Sequence, residues 1–227
     1  MAAWDKIEDL AQYFETQFNQ TGTPIVENLK ADYNWHNQLW TAPSYRRAHV
    51  EIVDNRTTHG IYILHTTVFA HFNDSSPIFG FDAVCGERKI TGAFHDFSRA
   101  GDPDHFMMRW FSNKVKDLSW NRPRELPEWA RAIFSPAMVA VGNLQDDGEI
   151  EKLCSLAQEN LEYYLSNVGL TQDGVNDFHM AQNRYCQYQK QNPQVVRSMV
   201  AMGVEESVIT RFVDEVLFPE TRTPAWI

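Results

Sequence analysis

Between Ala48 and Phe97 the apolar residues recur at every second position in short runs, and each run stops at a cluster of turn-forming residues. The breaks fall at Asp54-Asn55 through Gly60, at Asn73-Asp74-Ser75-Ser76 and at Gly86-Glu87-Arg88. Alternation with period two marks strands whose two faces meet different surroundings, and short breaks of this composition join neighbouring strands. The stretch therefore predicts an antiparallel meander.

Helical spacing surrounds it. Trp4, Ile7, Leu10, Ala11, Phe14 and Phe18 lie on one face of an N-terminal amphipathic helix that stops before Gly22. After the meander, Asp102 to Trp120 carries Phe106, Trp110 and Phe111 and reads as helical, with Met107-Met108 as core filler. Ala137 to Val141 predicts one more strand, and NRPRELP at 121–127 reads as a connector. Ile150, Leu153, Ala157, Leu161, Tyr164 and Leu165 then mark a long helix ending near Gly169. Three more helices are expected over Asp173 to Gln189, Pro193 to Ala201 and Glu205 to Leu217. Strands first and helices after, with one helix in front, point to an α+β sandwich, not a doubly wound sheet. With 227 residues, 43% of them hydrophobic, and neither repeat nor long linker, the expectation is one domain over 1–227.

Bulk properties narrow the function. A formal charge of −10 argues against a nucleic-acid binder, and an acidic partner would have to dock on a local basic patch. No apolar run approaches the roughly 18 residues of a membrane span, and the N-terminus lacks a signal pattern, so the expected location is cytoplasmic. Cys85, Cys154 and Cys186 form no CxxC and read as inert thiols. The eight histidines form no HxH or HExxH, which leaves a metal without a candidate site. GxGxxG, Walker and GxSxG motifs are absent too. Aromatic content of 13% beside clustered Arg residues suits a flat, conjugated, anionic ligand held by stacking and guanidinium–carboxylate forks.

The ionisable residues inside the strands carry the chemistry. On the first strand Ala48, Val50 and Ile52 share one face while His49 and Glu51 share the other. His65 falls in line with Ile61, Ile63, Thr67 and Phe69, and Asp82 with Ile78, Gly80 and Val84. An acid or base within an apolar stripe is the anomaly. Burial pushes a carboxylic acid up and a histidine down, so a coupled Asp and His could share a proton near neutrality. Such a group is a proton source, not a nucleophile.

The runs APSYRRAHVEIV, IYILHTTVFAHF, SPIFGFDAVCG, RELPEWARAIFS, NRYCQYQKQNP and FVDEVLFPE resemble, in order and spacing, the ferredoxin-dependent bilin reductases, chiefly their phycocyanobilin-forming branch. The resemblance implies a three-layer α/β/α sandwich with a central antiparallel β-sheet, and biliverdin IXα bound between the sheet and the C-terminal helices. It further implies a monomer with no cofactor of its own, taking single electrons from reduced ferredoxin. By the same resemblance Asp82 matches the central aspartate, His65 its histidine partner, and Glu51 the glutamate tied to reduction of the D-ring vinyl group. His49 matches a proton-relay histidine, Asn192 a branch-specific position and Arg124 a propionate ligand. A ferredoxin-docking patch is expected from Arg46, Arg47, Arg88, Lys89, Lys114, Lys116 and Arg122. Asn192 is followed by Pro193, and Gln194 and Ser198 stand where that branch has a basic and an apolar residue. These departures tilt the expected product toward phycoerythrobilin via 15,16-dihydrobiliverdin. Phycocyanobilin formation and a non-catalytic bilin carrier are the alternatives.

Overall fold

The computed structural model describes residues 1–26, 35–173 and 177–221. Its frame is one seven-stranded sheet in which spatial order equals chain order and every neighbouring pair is antiparallel. The strands are β1 (Thr23–Ile25), β2 (Trp35–Thr41), β3 (Tyr45–Asn55), β4 (Ile61–Ala70), β5 (Ile78–Cys85), β6 (Ile90–Ser98) and β7 (Val139–Leu144). The predicted meander is β3 to β6, joined at the predicted turns.

One face of the sheet packs on α1 (Ala3–Thr21), α2 (Phe106–Val115) and α4 (Asp147–Asn167). The buried stripe of α1 is Ala3, Ile7, Leu10, Ala11, Phe14 and Phe18, which includes every apolar position read from the spacing except Trp4. Phe14 meets Phe79 and Phe81 of β5 edge-on, with centroids 6.1 and 5.7 Å away, the arrangement favoured by the ring quadrupoles. Gly22 ends α1 where a side chain has no room: a Cβ there would lie 2.3 Å from Tyr45 Oη. The opposite face carries α3 (Glu128–Arg131), α5 (His179–Gln189), α6 (Pro193–Ala201) and α7 (Glu206–Arg211), and α7 runs into a π-helical turn, Phe212–Leu217. Helices on both sides of an antiparallel sheet make the expected three-layer sandwich.

The differences from the sequence reading are local. β2 was not expected, because Trp35, Asn37 and Leu39 alternate with His36, Gln38 and Trp40 and leave no apolar run. α5 begins at His179, later than Asp173, and residues 174–176 lie outside the described set. The 121–127 connector runs along β7, with the Arg124 amide donating to Ala140 O (2.8 Å) and the Gly142 amide to Arg122 O (3.0 Å). Burial pushes the Cys85 and Cys186 thiols up to about 12, so the inert thiolate-poor reading fits. No described helix is long and apolar enough to cross a membrane.

Candidate active site

The face of β3 to β6 turned away from α1 differs from its reverse side. On the α1 side, Leu64, Phe79, Phe81, Ala83, Ala93 and Phe97 are at most 1% exposed. On the other side, Ile63, His65, Gly80, Asp82, Val84 and Phe94 are only half-buried. Beneath the C-terminal helices the sheet therefore keeps a strip that is apolar except for one histidine and one aspartate.

Strand register aligns the ionisable groups. Glu51 of β3 pairs with His65 of β4, and His65 pairs with Asp82 of β5. Register partners project from the same face at neighbouring positions, so the three side chains form one row across three strands. His49 stands one residue pair away on the same face, its ring centroid 6.1 Å from that of His65. The row continues onto β2, where Asn37 pairs with Glu51.

Burial dominates the electrostatics. It pushes the Asp82 carboxyl up to about 7. Burial likewise pushes Glu51 up to about 8, opposed by the hydrogen bond from Trp35 Nε1 (2.9 Å) and reinforced by the charge of Asp82. His65 is lowered to about 4, first by burial and then by the Arg47 guanidinium. His49 falls well below the ordinary histidine value, by burial and then by Arg47. At neutral pH the row thus holds two acids that keep, or partly keep, their protons beside two uncharged imidazoles. No direct hydrogen bond joins Asp82 to His65 among the described residues, so each titrates mainly through its own desolvation. His49 Nε2 lies 2.9 Å from Asn37 Oδ1, while Nδ1 of both His49 and His65 finds no partner among the described residues.

Arg124 reaches the edge of the same strip. Its side chain crosses Gly92 and Gly142, where a Cβ would stand 3.2 Å from Nη1 and 2.1 Å from Nε respectively. Its Nη2 donates to Thr91 O (2.6 Å), and its guanidinium carbon lies 6.0 Å from the Phe94 ring. Phe94 is in turn the register partner of Asp82. An exposed cation bordering an acid-bearing apolar strip can receive a carboxylate whose conjugated body lies on that strip.

Other candidates are placed elsewhere. Asn192 caps α6, its Oδ1 accepting the Gln194 amide (3.1 Å) ahead of Pro193. This is the ordinary work of Asn before a proline at the first helical position, and no hydrogen bond ties it to Glu51, His65 or Asp82. Arg46 and Arg47 are corrections to the docking patch. Arg46 is half-buried between the rings of Phe69 and Phe72, at 4.6 and 4.7 Å, and donates to Gln182 Oε1 (2.7 Å). Arg47 is 8% exposed and donates to Val216 O. Stacking and interior acceptors draw both guanidinium groups inward. Arg88, Lys114, Lys116 and Arg122 are exposed and Lys89 is half-buried; Lys114 is ion-paired with Glu159.

The sequence reading missed the contribution of β2, whose Trp35 and Asn37 touch Glu51 and His49. It also missed Asp96, on the same face as Asp82, held by Ser135 N (2.8 Å), Ser135 Oγ (2.5 Å) and Ser98 Oγ (2.9 Å). The phase of Asp96 with Gly92 and Phe94 was the available signal. A cavity of about 160 Å³ continues the face of β3 beyond Glu51, between Trp35, Val53, Asn55, Met202 and Val204.

Known proteins resemble the chain along nearly its whole length. It is 27% identical to the phycocyanobilin:ferredoxin oxidoreductase of Synechococcus sp. (strain CC9605), covering 80% of this chain and 74% of that one. It is 28% identical to the enzyme of the same name from Prochlorococcus marinus (strain MIT 9313), covering 81% and 70%. Among solved structures, one titled PcyX superposes with a TM-score of 0.69 at 24% identity, covering 95% of this chain and 99% of its own. Tomato phytochromobilin synthase, solved in complex with biliverdin, gives 0.67 at 16% identity, covering 95% and 82%. At those identities the two structures speak to the fold alone. The sequence model for ferredoxin-dependent bilin reductases matches residues 6–219, and the chain belongs to that family of oxidoreductases.

Proposed function

We propose that this chain reduces biliverdin IXα to a phytobilin with four electrons and four protons. The electrons come one at a time from reduced ferredoxin, and the protons pass through the row Glu51, His65 and Asp82. The observation that carries this reading is the row itself: two carboxylic acids raised to about 8 and about 7, one strand apart on either side of an uncharged imidazole. Raised acids near the operating pH are both charged with a proton and able to release it. The half-buried Ile63, Val84 and Phe94 supply a bed for a flat tetrapyrrole, and Arg124 an anchor for a propionate. In this reading Asp82 is the central donor, His65 its uncharged partner, Glu51 a second donor and His49 a relay. The ligand would be taken one to one.

Phycoerythrobilin, by way of 15,16-dihydrobiliverdin, is the product this reading favours. What supports it is the sequence around Asn192: a proline follows it, and Gln194 and Ser198 depart from the phycocyanobilin-forming pattern, while Glu51, His65 and Asp82 are kept. Phycocyanobilin is the second reading, favoured by the placement of Glu51 in the row as a protonated donor. Anaerobic incubation with biliverdin and a reduced ferredoxin system, followed by chromatography against both bilin standards, tests both levels. Bound biliverdin whose absorption never changes would refute the reductase reading, and phycocyanobilin as the sole end product would reverse the choice of product.

A further inference from the structure

Trp35 opens β2 on the same face as Glu51 and His49, because it pairs in register with Val53, two residues beyond Glu51. Its Nε1 donates to Glu51 Oε1 at 2.9 Å. The indole is held in place from the helical side, where the Phe212 ring meets it edge-on at 4.1 Å and 72°. An indole N–H is a donor without acceptor capacity, so it distinguishes the two oxygens of a protonated carboxyl. The oxygen it touches is kept as the carbonyl acceptor, and the acidic hydrogen resides on the other.

We propose that Trp35 is a positioning residue for the reaction: its fixed N–H binds Oε1 of Glu51 and thereby makes Oε2 the oxygen that carries and delivers the proton. The inference rests on the reading of Glu51 as a proton donor. Without Trp35 the carboxyl could rotate and present its hydrogen in either sense, and a donor must lie within hydrogen-bond reach of the atom it serves. Phe212, in the π-helical turn, packs edge-on against the indole and limits its rotation. Asn37, the next residue on that face of β2, holds His49 in turn, its Oδ1 accepting from His49 Nε2 at 2.9 Å. β2 is thus the strand that orients the outer half of the row.

Trp35→Phe keeps an aromatic ring beside Phe212 and removes the donor together with one ring of the indole. Turnover of biliverdin is expected to fall about tenfold, the scale of one lost hydrogen bond at a reacting group, while bilin affinity is unchanged. The same substitution in a Glu51→Gln background is expected to add nothing, because the two residues act as one unit. An equal further loss in that background would show a merely structural role and overturn the proposal. A direct readout accompanies the kinetics: the infrared carbonyl band of protonated Glu51, identified by its disappearance in Glu51→Gln, should move to higher frequency in Trp35→Phe. An unmoved band overturns the proposal. If Trp35→Phe does not fold, the indole N–H resonances of the seven tryptophans serve instead: one must shift in Glu51→Gln, and none shifting overturns it. Full activity of Glu51→Gln would instead refute the role of Glu51, and Trp35 would lose its role with it.

Discussion

His65 and Asp82 are register partners on adjacent strands, yet burial drives them in opposite directions, the imidazole down to about 4 and the carboxyl up to about 7. Each therefore avoids charge without help from the other. A proton leaving Asp82 creates an anion in a desolvated place, which favours rapid recapture of another proton and suits a donor that must act repeatedly.

Asp82→Asn removes the acid and keeps the shape. Bilin binding and electron entry should persist while turnover falls by at least about a hundredfold, the usual contribution of a general acid. Under anaerobic conditions a bilin radical should build up, visible by absorption and electron paramagnetic resonance. Normal turnover would take Asp82 out of the mechanism.

Stability should decline between about pH 6.5 and about pH 8. Over that window the folded protein holds protons on Glu51 and Asp82 that the unfolded chain, with carboxyls at their ordinary values, has already released. The native state binds more protons there, so a rise in pH favours unfolding. Below about pH 6.5 the lowered His49, His65 and His95 act in the opposite sense, since the unfolded chain takes protons the folded one refuses. Urea titrations across the window should show the slope, and Asp82→Asn with Glu51→Gln should flatten it.

Arg124→Ala should weaken biliverdin binding about tenfold or more, the scale of a charge-assisted hydrogen bond, with the melting temperature unchanged. Gly142→Ala should do likewise by a different route, because its new methyl would meet Arg124 Nε at 2.1 Å and displace the side chain. Fluorescence titration with biliverdin measures both. Wild-type affinity in both variants would remove Arg124 from the site.

Phe14→Ala deletes a fully buried ring packed against Phe79 and Phe81, on the face of the sheet opposite the row. It should cost about 3–5 kcal/mol, read from the midpoint of chemical unfolding. The fraction that remains folded should turn over normally.

With Arg47 buried and Arg46 half-buried, the proposed ferredoxin patch is left with Arg88, Lys89, Lys116 and Arg122, with Lys114 partly neutralised by Glu159. Ferredoxin-driven turnover should drop as salt rises from low values to physiological ionic strength. Lys116→Glu should raise the KM for ferredoxin and leave reduction by a chemical reductant unaltered. Turnover indifferent to salt would dismiss the patch.

The strands β3 to β6 and the faces of Glu51, His65 and Asp82 were legible, because parity along a strand decides the face before any partner is known. The helix faces of α1 and α4 were legible for the equivalent reason at a longer period. β2 was not, since a strand that alternates aromatic with amide side chains carries no hydrophobic signal, and with it went the partners of Glu51 and His49. Arg46 and Arg47 were misplaced because two adjacent arginines read as surface. Their acceptors, Gln182 and Val216, belong to helices far along the chain, and only tertiary packing brings them near. The cap that Asn192 makes on α6 is a local backbone matter that a family likeness does not reveal.

Because the sheet runs in chain order, the row Glu51, His65 and Asp82 is aligned by just two consecutive hairpins. A single residue inserted inside β4 or β5 would turn the downstream half of that strand over and send its ionisable group toward α1, whereas a residue added within the 56–60 turn leaves the strand phase free to recover. Deletions and insertions in this chain should therefore be tolerated according to where the phase is counted, and the chemistry is protected by parity as much as by the identity of any residue between the acids.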